Sequence, residues 1–359
     1  MARQGRLYLD LYEKLRGEIV EGLYPYGTRF PSKRVTAENN GISLITVEHA
    51  YQILMDEGYL TASERSGYFV AYREPDLIPI NPILPERPVP AQVSSPDDFL
   101  PFPLYARTVR RILSDYGERL LQRSPGEGLM ELRQAIAFHL ARTRSMHISP
   151  EQILIGSGAE ALYSTVVQLL GRDSIYAAED PCYEVIRLTY LQQGVRLDSL
   201  PLGPDGIRTS ALLSTQARIL HVTPFHSYPS GITATASKRR EYIRWAHDRD
   251  GFVIEDDYDS ELSPSSKPED TLFSLSGGER VLYVNTFTRT VAPSLRTGFM
   301  VLPESLLPLF REKLGFMSCS VPVMEQVLLT ELLNRGDYVR HLNRLRRARR
   351  QKAVPQEDS

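Results

Sequence analysis

Phe252-Val-Ile-Glu-Asp-Asp-Tyr-Asp259 is the stretch on which the reading of most of this chain turns. A short apolar run passes directly into a carboxylate cluster, as expected of a buried strand whose carboxyl end opens on a polar pocket. Two chemistries fit the cluster. One is a divalent cation; the other is a protonated heterocyclic nitrogen, with Tyr258 donating to a nearby oxygen. Similar apolar runs lie at 152–155, 174–177, 218–222, 280–284 and 298–302, with helical segments between them. Helices alternating with apolar strands predict an α/β fold with a mainly parallel sheet from Phe99 onward.

Polar turns follow several of these runs. Gly156-Ser-Gly-Ala-Glu160 precedes a helix predicted from about Ala161 to Leu170. Small residues at a helix N-terminus let backbone N–H groups and a hydroxyl cradle a phosphate; a Gly-Ser-Gly turn is more often only a turn. Asp180-Pro-Cys-Tyr183 sets an aromatic ring past a proline turn, either to stack on a flat ligand or simply to pack. His221 and His226 flank the loop Thr223-Pro-Phe-His-Ser-Tyr-Pro-Ser-Gly231, without a third ligand at metal-binding spacing. Thr286-Phe-Thr-Arg-Thr290 and Pro293-Ser-Leu-Arg296 combine hydroxyls with an arginine, which suits a phosphate.

Before these, Tyr8, Leu11, Tyr12, Leu15 and Ile19 recur at helical spacing. Ser32 is placed to cap a short helix through Asn39, and Gly41 makes a tight turn. Ser43 caps a third helix with inner face Val47, Ala50, Tyr51 and Leu54, ended by Gly58. Segments 59–62 and 68–70 read as strands around Arg65, Ser66 and Gly67. Three helices and a hairpin is the order of a winged helix-turn-helix. In that fold the third helix enters the major groove, so Ser43, Leu44, Ile45, Thr46 and His49 would face bases or phosphates. Ser32, Lys33 and Arg34 at the second helix, with Arg65, Ser66 and Gly67 at the wing tip, would meet the backbone. Periodicity alone fits a helical protein-interaction module equally well.

The 359 residues suit two domains, and the net charge of −2 leaves any nucleic-acid binding to local patches. Cys182 and Cys319 are too few for a disulfide framework and fit a reducing cytoplasm. No apolar run is long enough for a bilayer, and no signal-peptide pattern opens the chain, so no membrane is expected. Pro75, Pro79, Pro82, Pro85, Pro88, Pro90 and Pro96 mark 74–98 as a semi-extended linker between a head (1–73) and a body (99–359). The basic run from Arg340 to Lys352 is either an amphipathic helix with Leu342 and Leu345 inside, or a second nucleic-acid patch.

Gly27-Thr-Arg-Phe-Pro-Ser-Lys-Arg34, Gly41-Ile-Ser-Leu-Ile-Thr-Val47, Ala50-Tyr51, Leu54, Glu57-Gly-Tyr-Leu60 and Ser66-Gly-Tyr-Phe-Val70 together resemble the DNA-binding domain of the GntR family. From Phe99 to Arg350 the ordered constellations resemble the aminotransferase-like body of MocR-type regulators, GntR-headed proteins with fold-type-I pyridoxal 5′-phosphate (PLP) architecture. The resemblance implies that Asp256 pairs with the pyridine nitrogen and Tyr258 reaches the phenolic oxygen. It gives the phosphate to Ser157, Gly158 and Ala159 with Thr286, Thr288 and Arg296, and sets Tyr183 near the ring. It also implies a homodimer on double-stranded operator DNA, with PLP or an amino-acid-derived compound as effector.

This sequence departs from the family pattern at three places. Leu44 stands where the family usually has an arginine, removing one DNA contact. Arg289 stands at the Schiff-base lysine position. A guanidinium stays protonated, with a pKa above about 12, whereas imine formation needs a neutral primary amine. PLP is therefore expected to bind non-covalently at best, without catalysis. The third departure is that the family continues past the Arg-rich helix with a small domain, so the amino-acid site is expected to be incomplete. The competing reading, a working PLP aminotransferase with an accessory N-terminal domain, predicts a lysine where Arg289 stands.

Overall fold

The computed structural model describes residues 4–63, 66–73, 99–263 and 270–353; the predicted linker 74–98 and the wing-tip Arg65 lie outside the described residues. Contacts divide the chain into two units, Met1–Ala91 and Gln92–Ser359. The first contains α1 (Gln4–Val20), β1 (Arg29–Phe30), α2 (Lys33–Asn40), α3 (Leu44–Asp56), β2 (Leu60–Ser63) and β3 (Gly67–Val70). Leu11, Tyr12, Leu15 and Ile19 pack on Val47, Ala50, Tyr51 and Leu54, so the apolar stripes of α1 and α3 form the core. Ser32 and Ser43 cap α2 and α3, and Gly41 closes α2 in the left-handed region at φ 62°. The Tyr51 hydroxyl lies 2.7 Å from Thr36 Oγ1 and donates to the Pro31 carbonyl at 2.9 Å, tying α3 to α2. The strands order β1-β3-β2. This is a winged helix-turn-helix. Its β1, only two residues long, carries no alternation that a sequence can display.

The second unit runs α4 (Phe102–Tyr116), α5 (Met130–Arg144), β4 (Ile153–Gly156), α6 (Ala159–Leu170), β5 (Ile175–Asp180), α7 (Glu184–Gln192), β6 (Arg196–Gly203), β7 (Gly206–Ile207) and α8 (Thr209–Ser214). It continues with β8 (Ile219–Val222), α9 (Ala236–Asp248), β9 (Phe252–Asp256), α10 (Leu272–Leu275), β10 (Val281–Thr286), β11 (Gly298–Val301), α11 (Leu307–Leu314), α12 (Val323–Asn334) and α13 (Asp337–Ala353). Among the described residues one sheet orders β4-β11-β10-β9-β8-β5-β6-β7. Its centre, from β10 through β9, β8 and β5 to β6, is parallel, while β11 is antiparallel to both neighbours.

Side chains alternate between the two faces. Ala177, Leu220, Val253, Tyr283 and Phe299 share a core with α5, α9 and α12. Tyr176, Ile219, Ile254, Val284 and Met300 share another with α6, α7 and α11. After β5 the chain leaves to one side for β6, and β8 then pairs on the other side of β5. Such a reversal opens a crevice outside the strands' carboxyl ends. Among the described residues no helix is long and apolar enough to cross a membrane.

Candidate functional site

A cavity of about 470 Å³ lies at that crevice. The residues from Glu255 to Asp259 do not converge on a cation. Glu255 accepts the backbone N–H groups of Leu272 and Phe273 at 2.7 and 2.9 Å. Asp257 points the opposite way to its neighbour, toward Arg144 at 3.1 Å and the Tyr283 hydroxyl at 2.7 Å. Only Asp256 and Tyr258 of the five line the cavity. No metal-sized group of His, Cys, Asp and Glu occurs among the described residues.

Asp256, at the end of β9, is buried. Tyr163 of α6 donates to its Oδ2, and His221 Nε2 approaches the same oxygen at 3.6 Å. His221 Nδ1 lies 2.8 Å from the Tyr190 hydroxyl. Burial, then the charge of Asp256, raises the Tyr163 phenol well above its ordinary range, and burial does the same for Tyr190, so both stay protonated donors. A protonated Tyr190 can donate to Nδ1, and Nε2 is the ring nitrogen that faces Asp256. Nε2 itself has no hydrogen-bond partner among the described residues.

Tyr258 donates to the His226 carbonyl at 2.8 Å, and burial raises its phenol. The Arg289 guanidinium lies 5.3 Å from the Tyr258 ring centroid and 3.6 Å from Asp259 Oδ1, with its side chain half exposed. Arg349 of α13 holds both oxygens of Asp259 at 3.2 Å. Tyr183 meets Tyr228 edge-on at 6.0 Å between centroids, and both line the cavity.

Ala159, Thr286, Thr288 and Arg296 also line the cavity. Thr286 donates to Thr288 Oγ1 at 2.8 Å. Arg296 reaches Glu160 Oε2 at 2.5 Å. Ser157 accepts from Ser320 at 3.0 Å, and Gly158 turns the chain into α6 at φ 91°. Sequence reasoning missed Glu160, Tyr163, Ile186, Thr223 and Tyr228 as lining residues. One signal was present: Ala159 and Tyr163 are four apart on α6, so they share a face.

In the head, Ser43 Oγ accepts from Thr46 N–H at 3.2 Å and lies 2.8 Å from Thr46 Oγ1. Leu44 and Ile45 are 46% and 66% exposed. His49 is exposed and meets the edge of Tyr8 at 5.8 Å. Ser32, Arg34 and Ser66 are exposed. Lys33, by contrast, is engaged with Glu48 at 2.5 Å. Gly67 sits at φ 104° beside the Arg29 guanidinium, an exposed wing-base cation that sequence reading did not single out.

Residues 7–70 match the family described as bacterial regulatory proteins, gntR family. Over 96% of its length the chain is 31% identical to the uncharacterized HTH-type transcriptional regulator YdeL of Bacillus subtilis, covering 77% of it. It is 30% identical to the probable rhizopine catabolism regulatory protein MocR of Rhizobium meliloti, covering 96% of the chain and 76% of MocR. The HTH-type pyridoxine biosynthesis transcriptional regulator PdxR of Corynebacterium glutamicum is 29% identical, over 94% of the chain and 75% of PdxR.

Among solved structures, the α-aminoadipate aminotransferase LysN of Thermus thermophilus superposes with TM-score 0.62 and 30% identity, over 72% of this chain and 67% of that one. An archaeal alanine:glyoxylate aminotransferase gives TM-score 0.62 at 21% identity, over 69% and 63%. The chain thus spans about two thirds of the length of these aminotransferases. The kinship to regulators runs through both units, not the head alone, and the chain belongs to the MocR-type branch of the GntR family of transcriptional regulators.

Proposed function

We propose that this regulator binds double-stranded operator DNA through α2, α3 and the wing, as a homodimer paired by its body, and performs no transamination. We assign 1–73 to the head, 74–98 to the linker and 99–359 to the body, and place the protein in the cytoplasm. The observation that carries the reading is the start of α3. Leu44 and Ile45 stand exposed beside the Ser43 and Thr46 hydroxyls, at the Ser43-capped N-terminus of α3. Apolar side chains there suit thymine methyl groups, and the hydroxyls and N–H groups suit base edges and phosphates. Ser32, Arg34, His49, Ser66, Gly67 and Arg65 would flank the same duplex.

The residues of the cleft fit PLP held without a covalent link. Bound there, PLP would supply an aldehyde and a protonated pyridine ring. Asp256, fixed by Tyr163, would accept from the ring nitrogen. Thr286, Thr288, Arg296 and Ala159 line the cleft and, with Ser157 and Gly158 of the preceding turn, would hold the phosphate; Tyr183 and Tyr258 would lie by the ring. Arg289 lines the cleft and can donate hydrogen bonds, but its permanently charged guanidinium has no free amine to attach an aldehyde. A ligand there acts on DNA binding only through different affinities for two arrangements of the dimer.

Gel-shift and footprinting on the DNA upstream of the chain's own gene, with and without PLP at stated salt, test the reading. The expected result is a protected, sequence-specific site. Equal binding to random duplex at low ionic strength overturns it. Separately, borohydride treatment with stoichiometric PLP should fix no label at any single site; a stoichiometric label confined to one site overturns the loss of catalysis.

A further inference from the structure

The anion side of the cleft already contains an anion. Glu160, in the first turn of α6, places Oε2 2.5 Å from Arg296 Nη2. The pair lies directly over the glycine turn: a Cβ built on Gly158 would come within 3.0 Å of Arg296 Nη2 and 3.2 Å of Glu160 Oε2. Arg296 is held at φ 29°, in the left-handed region that residues with a side chain seldom occupy. Glu160 therefore stands where the turn, the start of α6 and Arg296 would together receive a ligand's phosphate.

We infer that Glu160 is a specificity-determining residue of this cleft, an internal competitor that disfavours a phosphate dianion against uncharged or less charged ligands. The inference rests on the reading that an anionic ligand enters the cleft, and it states what that entry requires. A phosphate that takes Arg296 Nη2 must displace the Glu160 carboxylate, and one that takes the other guanidinium donors meets that carboxylate at close range. The exchange is open to solvent, since Arg296 and Glu160 are 52% and 39% exposed. An exposed pair of this kind is weak enough to be displaced. The opposite role, in which Glu160 orients Arg296 to receive a phosphate, predicts the reverse effect of neutralising it.

The test titrates the full-length chain and Glu160→Gln, with Glu160→Ala as a second variant, with PLP, pyridoxal and inorganic phosphate at two ionic strengths. Both variants are expected to bind PLP and phosphate roughly five- to tenfold more tightly than the parent, with pyridoxal unchanged and the gain shrinking as salt rises. Equal affinities in all three proteins, or a gain of the same size for pyridoxal, overturn the inference and leave the cofactor reading standing. Weaker phosphate binding by the variants overturns it in favour of the orienting role. If none of the three proteins binds PLP or phosphate, the inference and the cofactor reading fall together.

Discussion

Arg289 is the residue on which the proposed loss of transamination rests. Its neighbours Tyr258 and Asp259, its place in the cleft and its distance along the chain from Arg296 all suit a cofactor site. Arg289→Lys restores the one group the site lacks, a primary amine that can lose its proton. The variant is expected to take up PLP stoichiometrically, giving a borohydride-fixed mass increase that the parent does not show. Absence of the label from the variant would mean that the cleft does not present an aldehyde to position 289. At this scale the sequence showed Asp256, Tyr258, Arg289 and Arg296, because each belongs to a short local motif. It gave no sign of what Glu160 and Tyr163 touch, since their partners Arg296 and Asp256 lie 136 and 93 positions away. A contact across that distance exists only once the sheet has assembled.

Elements were legible where burial is uniform and illegible where it is not. The runs ending near 177, 254 and 284 continue as strands to Asp180, Asp256 and Thr286. Polarity ends the apolar pattern before hydrogen bonding ends the strand. β6 was missed because its mixed, mostly half-exposed residues show no clean alternation. Polar residues at the strand ends also hold the site together. Buried Glu179 of β5 accepts from Ser227 Oγ at 2.5 Å and Thr223 N–H at 3.2 Å, fixing the loop that carries Tyr228.

Burial lifts the Glu179 carboxyl from 4.5 to about 8, against the pull of those two bonds. The native state therefore keeps a proton that the unfolded chain has lost, and stability falls as pH rises through this window. The slope approaches about 1.4 kcal/mol per pH unit. Burial lifts Glu255 over the same window, also to about 8, so Glu179→Gln should reduce the slope in unfolding curves recorded at stepped pH without abolishing it; an unchanged slope would clear Glu179 of the effect. In α13, Leu342 and Leu345 are buried and Arg346 donates to the Glu261 carbonyl at 2.7 Å, while Arg347 is exposed. Leu342→Ala should cost about 2–5 kcal/mol, read from the denaturation midpoint, and Arg347→Ala less than about 0.5 kcal/mol. A DNA affinity that drops with Arg347→Ala would assign the basic run a second role.

At the scale of the whole molecule, a net charge of −2 offers DNA no general attraction, so on the proposed reading affinity comes from the head's local face and from pairing two heads in a homodimer. Pairing makes the second docking event intramolecular, at a high effective concentration. The full-length chain should therefore prefer fragments carrying two half-sites, spaced by whole turns of about 34–36 Å, by well over tenfold against a single half-site. Two substitutions separate positioning from reading. Arg34 is exposed at the start of α2, and Arg34→Ala should weaken all duplexes alike, lowering the slope of log affinity against log salt by about one per engaged head. Leu44 carries no charge to release counterions. Leu44→Ala should leave the slope unchanged and narrow the gap between operator and mismatched duplex, because a lost methyl contact costs only at the right base. Binding isotherms at four salt concentrations, on operator and scrambled DNA, measure both quantities in one series. If Leu44→Ala shifts the slope, or Arg34→Ala alters discrimination while sparing it, the face assigned to the groove is the wrong one.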